Sequence, residues 1–102
     1  SLDVILLHSI TAIRDHAFNC SGLMFIKIPD SVTIIEDYAF AYCKFLSRII
    51  IPKSVTSIGD YAFTHCIRLF TVHMPVDLEY PWNAFQVVQE YTSTKLPLPF
   101  PL

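Results

Sequence analysis

One pattern constrains this 102-residue chain more than any other: it repeats itself every 23 residues. Residues 29 to 52 read P-D-S-V-T-I-I-E-D-Y-A-F-A-Y-C-K-F-L-S-R-I-I-I-P, and residues 52 to 75 read P-K-S-V-T-S-I-G-D-Y-A-F-T-H-C-I-R-L-F-T-V-H-M-P. Identities recur at Ser31/Ser54, Val32/Val55, Thr33/Thr56, Ile35/Ile58, the Asp-Tyr-Ala-Phe blocks ending at Phe40 and Phe63, Cys43/Cys66, Leu46/Leu69 and Pro52/Pro75. An earlier copy runs through Ser9, Ile10, Thr11, Ile13, Asp15, Ala17, Phe18 and Cys20, with one residue missing between Phe18 and Cys20. Asn83-Ala84-Phe85 reads as a decayed fourth copy. A fixed period of this length means stacked equivalent units, none of which can bury its apolar face alone.

Within one unit, L-x-x-I-x-I-P alternates apolar and variable residues, the signature of a short strand with one buried face. Ile26 and Ile28, Ile49 and Ile51, and Val72 and Met74 are expected to point inward, with Val4 and Leu6 as the first rung. The following Pro ends each strand because it has no N–H to give the ladder. After a turn, Val32, Ile35, Val55 and Ile58 return to the core. Asp37 and Asp60 then precede Tyr-Ala-Phe, which predicts a carboxylate cap on a single helical turn. Stacked copies predict a Phe ladder at Phe18, Phe40 and Phe63, extended by Phe85, and a Leu ladder at Leu23, Leu46 and Leu69.

The unit I-P-x-S-V-T-x-I-x-D-Y-A-F-x-x-C-x-x-L-x-x-I-x-I-P closely resembles the BspA-like leucine-rich repeat family. The resemblance implies an α/β leucine-rich-repeat solenoid, with right-handed coils, short parallel strands on the concave side and short helical or irregular convex turns. It also implies binding or adhesion without catalysis, at a cell surface or after secretion. The chain departs from the family in having few units, a deletion in one, and no recognisable cap before the first strand. Three regions are expected: a solenoid of about three coils over residues 1–75, a degenerate repeat or cap over 76–91, and a Pro-rich extended tail over 92–102.

Apolar residues make up 53% and charged residues 16% of the chain, so it has more to bury than an ordinary soluble domain of this size. Pro29, Pro52, Pro75 and regular charges interrupt every run that would span a membrane. The net charge is −2 and the seven Lys and Arg are scattered in sequence, which argues against a nucleic-acid partner. The chain opens at Ser1 without an initiator Met, signal or transit peptide, as expected of a processed chain or a fragment.

Residues that invite a chemical reading are explained by the repeat. Cys20, Cys43 and Cys66 share one repeat position and lack metal-ligand spacing, so a buried thiol ladder is expected rather than a metal site or disulfide. Asp15, Asp37 and Asp60 occupy equivalent environments, whereas acid/base catalysis needs two carboxylates in different ones. His8, His16, His65 and His73 fall at four different repeat positions and do not converge. The Ser-Val-Thr hydroxyls are expected to satisfy turn backbone groups, and no positioned base accompanies them. Asn19-Cys20-Ser21 fits a glycosylation sequon, but an inward Cys20 argues against its use. No enzyme, metal or cofactor is therefore expected.

Recognition is instead expected on outward strand residues. One row comprises Asp3, Phe25, Arg48 and Thr71, and a second Ile5, Lys27, Ile50 and His73. Phe25, Ile5 and Ile50 beside Arg48 would form an apolar anchor with a charged neighbour, a combination enriched in protein interfaces. The expected function is thus a protein-binding or adhesion module using this face. The alternative is a structural subunit of a larger assembly, whose other subunits cover the Pro-rich tail from Leu96 to Leu102.

Overall fold

The computed structural model describes residues 2–3 and 9–87, with side chains described for 9–87. Expectations for Val4, Ile5, Leu6, His8 and residues 88–102 lie outside the described residues. Four strands, β1 (Leu2–Asp3), β3 (Leu23–Lys27), β5 (Arg48–Ile50) and β7 (Thr71–His73), form one parallel sheet in that order. Three two-residue strands, β2 (Ala12–Ile13), β4 (Ile34–Ile35) and β6 (Ser57–Ile58), form a second parallel sheet. Every strand therefore pairs with its counterpart one repeat away, as stacked units require.

The core lies between these walls. Ile26, Ile28, Ile49 and Val72 from the four-stranded side, and Val32 and Ile35 from the other, are fully buried, while Ile51, Val55 and Ile58 are nearly so. Met74, expected inward, is only half-buried and packs against the cluster. Leu23, Leu46 and Leu69 are completely enclosed. Phe18, Phe40, Phe63 and Phe85 form one continuous stack, with successive ring centroids 5.3, 5.3 and 5.0 Å apart and planes within 8° of parallel. Each buried Leu, Ile or Phe contributes roughly 1.5–3 kcal/mol, so stability accrues coil upon coil.

The expected helical turn does not form: the described residues contain no helix. In residues 38–43, alternate N–H groups serve different partners. Those of Tyr38, Phe40 and Tyr42 donate to Asp60, Ala62 and Thr64 of the next coil, while those of Ala39, Ala41 and Cys43 turn back to carbonyls three residues earlier. The earlier copy repeats the scheme, with His16, Phe18 and Cys20 donating to Asp37, Ala39 and Ala41. A helix would spend these donors internally, leaving this side of the stack unlinked. The alternation needs left-handed backbone at Tyr38 (φ 58°) and Tyr42 (φ 61°), and likewise at His16, Cys20, Tyr61, His65 and Val87.

The carboxylates cap the neighbouring coil instead of a helix. Asp37 Oδ1 accepts from the Asp60 N–H at 2.8 Å, and Glu36 Oε1 from the Asp15 N–H at 2.9 Å. Here the chains approach so closely that only glycine fits at 59. A Cβ there would collide with Asp37 Oδ1 and lie 2.5 Å from the Asp37 nitrogen. Threonines knit the coils similarly: Thr33 and Thr56 donate their hydroxyls to the carbonyls of Thr11 and Thr33. Ser31 and Ser54 differ from expectation, since their buried hydroxyls find no partner.

Candidate functional site

The two outward rows are aligned by strand register. Asp3, Phe25, Arg48 and Thr71 are successive partners across β1, β3, β5 and β7, and Lys27, Ile50 and His73 are successive partners across β3, β5 and β7. Between the rows run Ile26, Ile49 and Val72, all fully buried, so the backbone holding the outward residues is anchored from beneath. Phe25 is 37% exposed, and Lys27, Arg48 and His73 are exposed, whereas Ile50 and Thr71 are half-buried. Ile50 is thus less available than expected.

Arg48 does not simply stand beside Phe25: its guanidinium carbon lies over the ring, 5.3 Å from the centroid. Arg68 repeats this arrangement over Phe45 at 5.2 Å, on the turn leading to the next strand. Phe45 is 48% and Met24 44% exposed, so apolar surface continues from the sheet onto this rim. Sequence reading missed the Phe45–Arg68 pair because neither residue lies on a strand. Their 23-residue spacing, the same as that of Phe25 and Arg48, was the available signal.

Cations scattered in sequence are gathered by the fold. Between the Phe and the following Pro of each repeat, residues 19–28, 41–51 and 64–74 contain Lys27, Lys44, Arg48 and Arg68 and no Asp or Glu. Between the Pro and the next Phe, the charged residues are mainly acidic: Asp30, Glu36 and Asp37, then Asp60, then Asp77 and Glu79. Lys53 is the cation among them. Arg14 on that side is already paired with Glu36 at 3.0 Å. Among the described residues, neither Arg48 nor Arg68 has a carboxylate partner. Asp3 is the acid at the β1 end of the first row.

The cysteines divide. Cys43 and Cys66 are fully buried, and each thiol donates to the carbonyl of the preceding coil's Phe, Phe18 and Phe40 respectively, at 3.1 Å. The adjacent Cys43 side chain and burial push the Cys66 thiol up from its ordinary value. Cys20, expected to belong to this ladder, is exposed. Its N–H donates to Ala41, as Tyr42 donates to Thr64 and His65 to Gln86, so Cys20 stands at the Tyr42/His65 position. Ser21 takes the ladder position, with its hydroxyl 3.4 Å from the Cys43 sulfur. The missing residue therefore falls near Gly22, not between Phe18 and Cys20. Asn19 is exposed beside Cys20, so the objection to the sequon based on an inward Cys20 does not hold.

His16 stacks on Tyr38 and His65 on Tyr42, with centroids 5.0 and 4.6 Å apart, so these imidazoles belong to aromatic ladders. Asp15 and His16 lie in direct side-chain contact at the exposed start of the row. Among the described residues, no three His, Cys, Asp or Glu side chains form a group able to hold a metal ion, and no helix is long and apolar enough to cross a membrane.

Comparison with protein families gives a match to the BspA type leucine-rich repeat region, in six copies across residues 3–99. No curated protein and no solved structure gave a significant match.

Proposed function

The chain belongs to the BspA-type leucine-rich repeat family, and from that premise we propose that it is a non-enzymatic protein-binding or adhesion module acting through the outer face of its four-stranded sheet. Repeats of this kind generally serve interaction rather than catalysis. One observation supports the choice of face above others: inward Ile26, Ile49 and Val72 remain alike and fully buried, whereas outward Phe25, Arg48 and Thr71, and Lys27, Ile50 and His73, differ rung by rung. Packing constrains the first set and leaves the second free to carry recognition. A photoreactive amino acid at position 71 is expected to yield a discrete protein adduct in the native source. The same probe at Thr33, on the other wall, is expected not to do so. Equal adducts from both positions, or none from position 71, would contradict this face.

A second reading, a subunit held in a larger assembly, is favoured by exposed apolar residues after Pro75. Val76 and Trp82 are each 80% exposed and Val87 is 52% exposed. Such surface is typical of regions covered by another chain. If this reading holds, the purified chain self-associates or aggregates until a partner subunit is supplied. A stable, soluble monomer in light scattering would count against it.

A further inference from the structure

Resting on the sheet-face reading, we infer that the partner is a carboxylate-rich protein segment carrying apolar side chains, gripped by Arg48 and Arg68. Both guanidiniums lie over phenyl rings, at 5.3 and 5.2 Å. That position restrains a side chain otherwise costly to order, and an arginine held this way can still offer N–H donors to a carboxylate. Neither arginine has an acidic partner among the described residues. No acidic residue lies in the three Phe-to-Pro segments that also supply Lys27 and Lys44. Asp3 aside, the acids of the described residues lie on the other half of each coil, where Glu36 already engages Arg14. Apart from Asp3 at the β1 end of the first row, the described residues of this half therefore carry positive charge with no acid of their own.

Apolar surface lies within the same patch. Met24, Phe25 and Phe45 are between 37% and 48% exposed, offering contact to aliphatic or aromatic side chains flanking the carboxylates. A nucleic-acid duplex would use the charge but leave this aliphatic and aromatic surface largely unfilled. Single-stranded bases, which bind by stacking on ring faces, would compete with the guanidiniums already over Phe25 and Phe45. An acidic, apolar-bearing protein segment uses both. Charge complementarity of this kind speeds encounter and selects partners, and its contribution falls as salt rises.

A random peptide library displayed on phage, selected against the immobilised full chain, tests the inference. Enriched peptides are expected to contain Asp or Glu beside Leu, Ile or Phe. They should lose roughly tenfold or more in affinity with Arg48→Glu or Arg68→Glu, and also weaken with salt. Asp30→Lys, on the other half of the coil, should leave their affinity unchanged. Circular dichroism verifies that each variant retains its fold. Neutral or basic binders that still depend on Phe25 and Arg48 would overturn the acidic assignment while leaving the sheet-face reading intact. Binders indifferent to both residues, or the absence of enriched binders, would overturn both. Tighter binding of single-stranded oligouridylate than of the selected peptides would assign the patch to nucleic acid and likewise overturn this inference.

Discussion

The ring of Phe63 lies 5.3 Å from that of Phe40 and within 3° of parallel, although 23 residues separate them in the chain. Phe40 also stacks on Phe18, so it is enclosed on both faces and has no exposed surface. Phe40→Ala should therefore cost about 3–5 kcal/mol, a large fraction of the stability of a domain of this size. Lys27→Ala, on the exposed face of β3, should leave the melting curve nearly unchanged. Circular dichroism melts of the two variants check this, and equal losses would contradict the division into inward and outward faces.

Asp37 and Asp60 are equivalent in sequence but not in bonding. Asp37 caps the Asp60 N–H, whereas among the described residues Asp60 caps no N–H in this way. Asp37→Ala should cost about 1–2 kcal/mol, and Asp60→Ala no more than about 0.5 kcal/mol. Urea titrations of both variants give the comparison. A larger loss for Asp60→Ala would reverse the expected order.

Gly59 occupies its position because of proximity, not a left-handed backbone. An added Cβ would lie 2.8 Å from the Glu36 carbonyl carbon as well as against Asp37. Gly59→Ala should be destabilising by about 1–3 kcal/mol because both neighbours include backbone atoms that cannot rotate away. Gly22→Ala meets no atom within 4 Å and should be tolerated. Paired thermal melts distinguish these outcomes, with a neutral Gly59→Ala opposing the packing described.

The three thiols should not react alike. Cys20 is exposed, while Cys43 and Cys66 are fully buried, and the Cys66 thiol is held protonated by its Cys43 neighbour and burial. A thiol-specific disulfide reagent should therefore label one cysteine rapidly in the native chain. The other two should react at the rate of structural opening, and all three should react promptly in denaturant. Rapid labelling of Cys43 or Cys66 would contradict their placement.

Much of this architecture was legible in the letters because side chains that share a core must repeat with it. Ile26, Ile49 and Val72, and the Phe stack, follow from matched positions and strand alternation alone. The second sheet was less visible, since two-residue strands such as Ile34–Ile35 offer too little alternation to recognise. The helical turn was a reasonable expectation from Asp-Tyr-Ala-Phe, but local capping chemistry lost to alternate N–H groups bonding along the stack. Cys20 was misplaced because identical letters suggested identical positions, whereas continuous bonding from Phe18 to Cys20 moves the gap to Gly22. The rows on the four-stranded sheet were readable from register. The arginines above Phe25 and Phe45 became apparent only when the coils closed.

The stacked core can be tested most directly by a NOESY spectrum of the chain with selectively labelled phenylalanines. Ring protons of Phe40 should show cross-peaks to those of both Phe18 and Phe63, while Phe18 and Phe63 should show none to each other. Missing contacts from Phe40 to either neighbour, or a direct contact between Phe18 and Phe63, would contradict the order of the coils and the surface built on it.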